Sequence, residues 1–198
     1  MSASPRMLAG FIQSSLEAIE GMDAALGREV RARLKPETRE AIESASAIGL
    51  VSVDLDVELT ECFFAVAGAA RARAALRENL RQSFDRPILK PILDGAFSIF
   101  GRSLGKMIGW APKVWGLIYR DAGEMVVGEA RPGRVRLDLL DVPLVISASP
   151  NYLYGSAEIF AGFFDVAGVD GNVRVIGPDL EKRSAGFELS WSRPFSGA

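Results

Sequence analysis

The side chains of this sequence that could do chemistry are carboxylates, tyrosines and a single thiol, because its 198 residues include no histidine and one cysteine, Cys62. Without histidine, no Ser-His-Asp or Cys-His nucleophile pair can form within the chain. Histidine-ligated zinc, iron and haem sites are excluded on the same ground, and one thiol cannot build a structural zinc site. Cys62 precedes an apolar Phe-Phe pair, so we interpret it as a buried, unreactive thiol.

Three tyrosines remain as possible acids or hydrogen-bond donors: Tyr119, Tyr152 and Tyr154. Tyrosines more often pack at the edge of a core, and we take that role as the default for all three. The acids offer no better site, since the segment 165–172 lacks the ligand alternation and terminal Glu of a calcium loop. The sequence therefore predicts no catalytic residue and no metal site.

The elements that must position these residues change character near residue 122. Before that point the apolar spacing is helical, with helices predicted from about Phe11, from Pro36 to about Gly49, over 69–83, and from Pro87 and Pro112 onward. The segment 51–57 alternates like a strand, but we prefer an extended lead into a helix over 59–66. Gly101, Gly105 and Gly109 recur every four residues and indicate close packing or a bend.

After residue 122 the pattern is mainly that of strands. The segments 125–130 and 135–140 flank Arg131-Pro-Gly-Arg134 and predict a hairpin. A helix is predicted over 152–166, ending at Gly168, and two further strands over 172–176 and 186–191. The prediction is an α+β fold: a helical N-terminal part packed on a four-stranded antiparallel sheet with β-β-α-β-β order, in one composite domain spanning 1–198.

Charge and composition limit the partners and the compartment. The net charge of −2 argues against nucleic-acid binding by the whole surface. Arg73, Arg77 and Arg81 recur every four residues and would line one helix face. They would either contact an acidic partner or pair with acids of the same fold. A lone cysteine and the absence of a signal peptide or apolar span predict a cytoplasmic protein without a transmembrane segment.

The glycines, aromatics and prolines of the second half resemble those of a group of uncharacterised bacterial proteins that is expanded as paralogues in myxobacteria. This group is related to the 4-vinyl-reductase, haem-NO-binding and TRAPP-like ligand-binding fold. The resemblance covers about 36–191, and the matching segments are Trp115–Gly123, Tyr152–Gly155, Phe160–Gly162 and Phe187–Trp191, with Pro143 and Gly168 between them.

The resemblance implies an α+β domain that often encloses an apolar pocket and is often a homodimer. Relatives bind haem, hydrophobic small molecules, acyl chains or proteins. Two features of the superfamily are missing here: the histidine of the haem-binding branch and the cysteine cluster common in the vinyl-reductase branch. From these departures we expect a chain with no haem, no metal and no other cofactor.

Two hypotheses of function follow. The first is a non-catalytic regulatory or sensor-like domain that binds an apolar small ligand or a protein partner. The second is a dimeric scaffold or assembly subunit that docks without a ligand, and an enzyme is the least favoured alternative. Aromatic side chains between helices and sheet would line the pocket of the first, with Tyr119 and Tyr154 as polar anchors, or would simply fill the core. The candidate ligand-binding residues are Phe97, Phe100, Trp110, Trp115, Tyr119, Tyr154, Phe160 and Phe164, and the candidate partner-binding residues are Arg73, Arg77 and Arg81.

Overall fold

The computed structural model describes residues 4–83 and 104–192, and its first part is built from helices. The order is β1 (Arg6–Leu8), α1 (Ala9–Met22), α2 (Ala24–Arg33), α3 (Pro36–Ser44), β2 (Leu50–Ser52), α4 (Val53–Ala67) and α5 (Ala69–Ser83). Side-chain caps begin two of these helices: Asp23 accepts from the backbone N–H groups of Ala25 and Leu26, and Ser52 accepts from that of Asp54. The helix predicted from Pro87, with Phe97 and Phe100, lies outside the described residues.

The second part begins with a helix and continues with strands. Its order is α6 (Leu104–Ile118), β3 (Tyr119–Arg120), β4 (Glu124–Arg131), β5 (Arg134–Leu140), α7 (Leu144–Ser147), α8 (Pro150–Ala167), β6 (Gly171–Asp179) and β7 (Ser184–Trp191). Strands β4, β5, β7 and β6 form, in that order, a four-stranded antiparallel sheet. The predicted α+β fold and its β-β-α-β-β order are confirmed.

A second, smaller sheet was not predicted. Strand β1 lies between β2 and β3 and pairs antiparallel with both, so that Met7 is opposite Val51 on one side and Tyr119 on the other. Each of these strands has two or three residues, which is too short for a side-chain alternation to be recognised. The sheet matters for the site because it holds Tyr119 against β1, the strand that leads directly into α1.

Two predicted helix starts are corrected. Helix α4 begins at Val53 rather than Leu59, because Ser52 caps it and its first five residues bury Val53 and Val57. Pro112 lies inside α6 instead of opening a helix. Buried residues at helical spacing on both sides of the proline, Ile108 and Trp115, keep the helix continuous despite the missing backbone donor.

The core extends from the N-terminal helices, where Ile12 and Phe63 are buried, to the space between α8 and the inner face of the four-stranded sheet. Phe164 and Phe187 are fully buried, and the ring of Phe160 lies 5.0 Å from that of Phe187. Helix α8 ends at Gly168, whose left-handed backbone (φ 66°) closes the last turn, as predicted.

Helix α8 also packs closely on α5, at two of its glycines. A Cβ atom at Gly155 would lie 2.9 Å from Leu76 Cδ1, and one at Gly162 would lie 2.9 Å from Leu80 Cδ2 and 3.0 Å from the backbone oxygen of Arg77. The two glycines therefore set how near α5 approaches.

Among the described residues no helix combines the length and apolar character needed to cross a membrane.

Candidate functional site

A chain of hydrogen bonds joins three polar side chains from three elements. Tyr152, in the first turn of α8, donates from its hydroxyl to Oδ2 of Asp56 at 2.8 Å. Its Oη also lies 2.6 Å from Oη of Tyr119, which stands in β3 just after α6. Asp56 belongs to the first turn of α4. We call the set Asp56, Tyr119 and Tyr152 the polar triad.

Aromatic packing holds one end of the polar triad. The ring of Tyr119 stacks on that of Trp115 one helical turn earlier, with centroids 3.9 Å apart and planes 21° apart. The indole Nε1 of Trp115 donates to the backbone oxygen of Gly123 at 3.3 Å. Because Met7 of β1 pairs with Tyr119 along the backbone, the tyrosine is held from both sides.

Hydrogen bonds at the start of α8 position Tyr152. The hydroxyl of Ser149 accepts from the backbone N–H of Tyr152 at 3.0 Å and donates to Glu61 of α4. Asn151 donates to the other oxygen of Glu61 at 2.7 Å. These bonds fix the first turn of α8 against α4, so Tyr152 reaches Asp56 from a rigid base.

The polar triad is both partly accessible and strongly desolvated. Asp56 and Tyr119 each keep an intermediate share of their surface accessible. Yet burial raises the pKa of Asp56 to about 6, even though the hydrogen bond from Tyr152 opposes the rise. Burial, with the nearby charge of Asp56 second, also raises the pKa of both tyrosines well above the usual value. We use the term recess for the place where the two partly exposed groups, Asp56 and Tyr119, meet the buried Tyr152.

The structure separates the predicted ligand-binding residues. Trp115 and Tyr119 lie together at the polar triad, whereas Phe160 and Phe164 are buried in the core against the sheet. Trp110 carries Lys113 Nζ 4.9 Å from its ring centroid, while Phe97 and Phe100 lie outside the described residues.

Tyr154, the other predicted anchor, stands apart from Tyr119. Tyr154 is two positions after Tyr152 in the helix, so its side chain points to a different side. It is 45% exposed, and the Cζ atom of Arg73 lies 5.5 Å from the centroid of its ring. The assignment of a ligand to any of these side chains stays a prediction.

Sequence reasoning missed Asp56 and left Tyr152 uncommitted. A signal for Asp56 existed: it is an acid inside the alternating segment 51–57, where Val53 and Val57 are buried. A polar residue in such a segment faces solvent or a polar partner, and the sequence did not reveal the partner.

The predicted partner-binding arginines pair with acids of α8. Arg73 binds Glu158, with Nε and Nη2 at 2.7 and 2.6 Å, and Arg77 forms two bonds to Asp165 at 2.6 and 2.7 Å. These pairs match the alternative in which the arginines neutralise acids of the same fold. The side chain of Arg81 lies outside the described part. A contact of this face with an acidic partner stays a prediction.

Cys62 is buried in α4 and is a free thiol. Burial, followed by the negative charge of Glu58, raises the pKa of the thiol. A raised pKa keeps the thiol protonated at neutral pH, so it is a poor nucleophile and a poor metal ligand.

Comparison with known proteins places the fold. No family profile and no curated protein sequence matches this chain. Solved structures do: an iron(II) unliganded H-NOX protein variant from K. algicida aligns with TM-score 0.66 and 8% identity over 96% of this chain and 98% of its own. An oxygen-binding H-NOX domain related to soluble guanylate cyclases, in its oxygen complex, gives 0.64 and 10% over 97% and 98%.

A third structure, from a study of haem distortion in the H-NOX family, aligns with TM-score 0.63 and 10% identity over 96% of this chain and 97% of its own. At these identities the likeness establishes the fold alone. The expected relation to the haem-NO-binding fold is confirmed at that level.

The expectation of a chain with no haem is contradicted by the same comparison, because the structures that share the fold come from H-NOX proteins, a family described by its haem. This sequence has no histidine that could serve as the axial ligand of a haem iron. Tyrosine, cysteine and methionine are the other protein ligands of haem iron. Within the described residues, Cys62 is buried as a thiol, and the hydroxyls of Tyr119 and Tyr152 are hydrogen-bonded to each other. These groups do not fit an axial ligand as arranged, and we derive no chemistry through a haem.

Proposed function

We propose that this chain is a non-catalytic sensor domain that binds a small ligand in the recess at Asp56, Tyr119 and Tyr152. The observation that carries the proposal is the convergence of three polar groups from α4, α8 and β3 in a place that is accessible yet desolvated. Desolvated polar groups cost free energy, so folds rarely keep them together without a role.

The geometry also suggests how binding would be sensed. The polar triad links α4 and α8 to β3, and β3 follows directly from α6. A ligand that replaced one hydrogen bond of the polar triad would loosen or shift one of these elements relative to the others. In this proposal, binding shifts α6 relative to α4 and α8, and that shift is the signal.

The fold supports a sensor more than an enzyme. Solved H-NOX structures with this fold include an oxygen-binding domain related to soluble guanylate cyclases. We extend from them to this chain the general role of binding a small ligand, without its identity. Membership of the myxobacterial paralogue group, a homodimeric state, a cytoplasmic location and the absence of nucleic-acid partners remain predictions from the sequence.

Native mass spectrometry of the purified full chain tests the proposal. We expect a non-covalent mass that is lost on denaturation and that is reduced in Tyr152→Phe, which removes one hydroxyl from the recess. Tyr154→Phe is the matched control, because the same atom is removed from the same helix on its exposed side. An absorption spectrum of the same sample shows whether the retained molecule is a haem. A haem would support the proposal that the domain binds a small molecule, with its iron held by a side chain other than histidine.

A clean monomer or dimer with no additional mass would overturn the ligand-binding proposal and favour the dimeric docking module. Retention of the mass in Tyr152→Phe at the wild-type level would also overturn it, because the ligand would then lie elsewhere in the molecule.

A further inference from the structure

The hydroxyl protons of the polar triad are all in use. Each tyrosine hydroxyl has one proton and can donate one hydrogen bond. Tyr152 donates its proton to the carboxylate of Asp56, so the 2.6 Å bond between the two hydroxyls must be donated by Tyr119. While Asp56 is ionised, neither tyrosine has a proton left to donate. The polar triad itself then presents lone pairs and no donor: those of Tyr119 Oη and the second oxygen of Asp56.

Among the side chains that the structure describes, none forms an ion pair with Asp56. Several other acids are paired with cations, among them Glu58 with Lys35 at 3.2 Å and Glu158 with Arg73 at 2.6 Å. Asp56 has Tyr152 as its hydrogen-bond partner, and the remaining compensation is the positive end of α4, in whose first turn it lies. A desolvated carboxylate with so little compensation attracts positive charge.

We infer that this recess selects a ligand that donates a hydrogen bond or carries a positive charge, a protonated amine above all, over anions and over ligands that can only accept. The inference rests on the proposed function, since it names the class of ligand for the same recess. An ammonium group would supply both the missing charge and the missing donors. A carboxylate or a phosphate would meet lone pairs and a like charge.

Three probes of one shape test this: benzylamine, benzyl alcohol and benzoate, each titrated at pH 7.5 into the full-length protein and followed by ligand-observed NMR. A hydrogen bond to a charged group contributes enough for a preference of about 10- to 100-fold for benzylamine over benzoate. We expect benzyl alcohol, a neutral donor, to fall between them.

Two variants show whether Asp56 sets the order. Asp56→Asn keeps an acceptor for Tyr152 and removes the charge, so the preference for benzylamine should disappear. Asp54→Asn is the matched control: it removes a charge two residues away, on the exposed side of the same helix end, and should leave the order unchanged.

The outcomes separate this inference from the proposed function. Equal or tighter binding of benzoate, or an order unchanged in Asp56→Asn, would overturn the ligand class while a co-purifying mass still supported a sensor. Failure of all three probes to bind would overturn the ligand class as well. If the purified chain also carried no additional mass, both proposals would fail together.

Discussion

Replacing Asp56 by asparagine removes a buried ionisable group and should make the protein less sensitive to pH. Burial raises the pKa of this carboxyl from the usual 3.8 to about 6 in the folded chain. The folded state therefore holds the proton more tightly than the unfolded state does. The resulting stabilisation is complete below the unfolded pKa and is lost as the pH rises through the folded one.

The magnitude follows from the difference between the two pKa values. With about 1.4 kcal/mol per pKa unit, the ionised carboxyl costs about 3 kcal/mol of unfolding free energy at pH 7.5 and well under 1 kcal/mol at pH 4. Asparagine does not titrate and still accepts the hydrogen bond from Tyr152. Relative to wild type, the variant should therefore gain about 2 kcal/mol between pH 4 and pH 7.5.

Urea unfolding at four pH values between 4 and 7.5, followed by far-ultraviolet circular dichroism, measures this difference. Asp23→Asn is a control of opposite sign. The hydrogen bond from Arg71, followed by those from the backbone of Leu26 and Ala25, lowers the pKa of Asp23. That carboxylate stabilises the fold at neutral pH, and its contribution is lost as the pH falls through its folded pKa. A difference for Asp56→Asn that is flat, or that decreases with rising pH, would refute the reasoning.

Three further changes test the packing around the site, each by chemical denaturation. Gly162→Ala should destabilise the chain by about 1–3 kcal/mol, because its Cβ would meet Leu80 and the backbone of Arg77. The control Gly105→Ala, in open space on α6, should be neutral or stabilising. Equal effects of the two substitutions would contradict the close approach of α5 to α8. Ser149→Ala should lower the free energy of unfolding by about 1–2 kcal/mol, because α8 loses its cap. Ser156→Ala, within the same helix, should lower it by less. A Ser149→Ala variant as stable as wild type would argue against the cap. A double-mutant cycle of Arg77→Ala and Asp165→Ala should give a coupling below about 1 kcal/mol, since the pair is partly exposed; a much larger value would mean a drier interface between α5 and α8.

Much of the fold was predictable because it is encoded in local patterns. The hairpin of β4 and β5 follows from two alternating segments around Pro132 and Gly133, and α8 follows from an apolar face that ends at a glycine. The small sheet was not predictable, since its strands are too short to show an alternation. Pro112 misled the prediction for the opposite reason: tertiary packing on both sides of it outweighs one missing hydrogen bond.

The candidate site shows the same division. By itself the sequence determined which chemistry is absent, histidine chemistry above all, and which side chains remained to take its place. The juxtaposition of those side chains was decided by tertiary structure: Asp56 and Tyr152 are 96 residues apart, and Tyr119 and Tyr152 are 33 apart. Periodicity tells which face of a helix is apolar, but it carries no information on which helix a polar residue of that face will meet. The same holds for Arg73 and Arg77, whose acidic partners lie in α8, far along the chain, and which only the docking of α5 on α8 brings within reach.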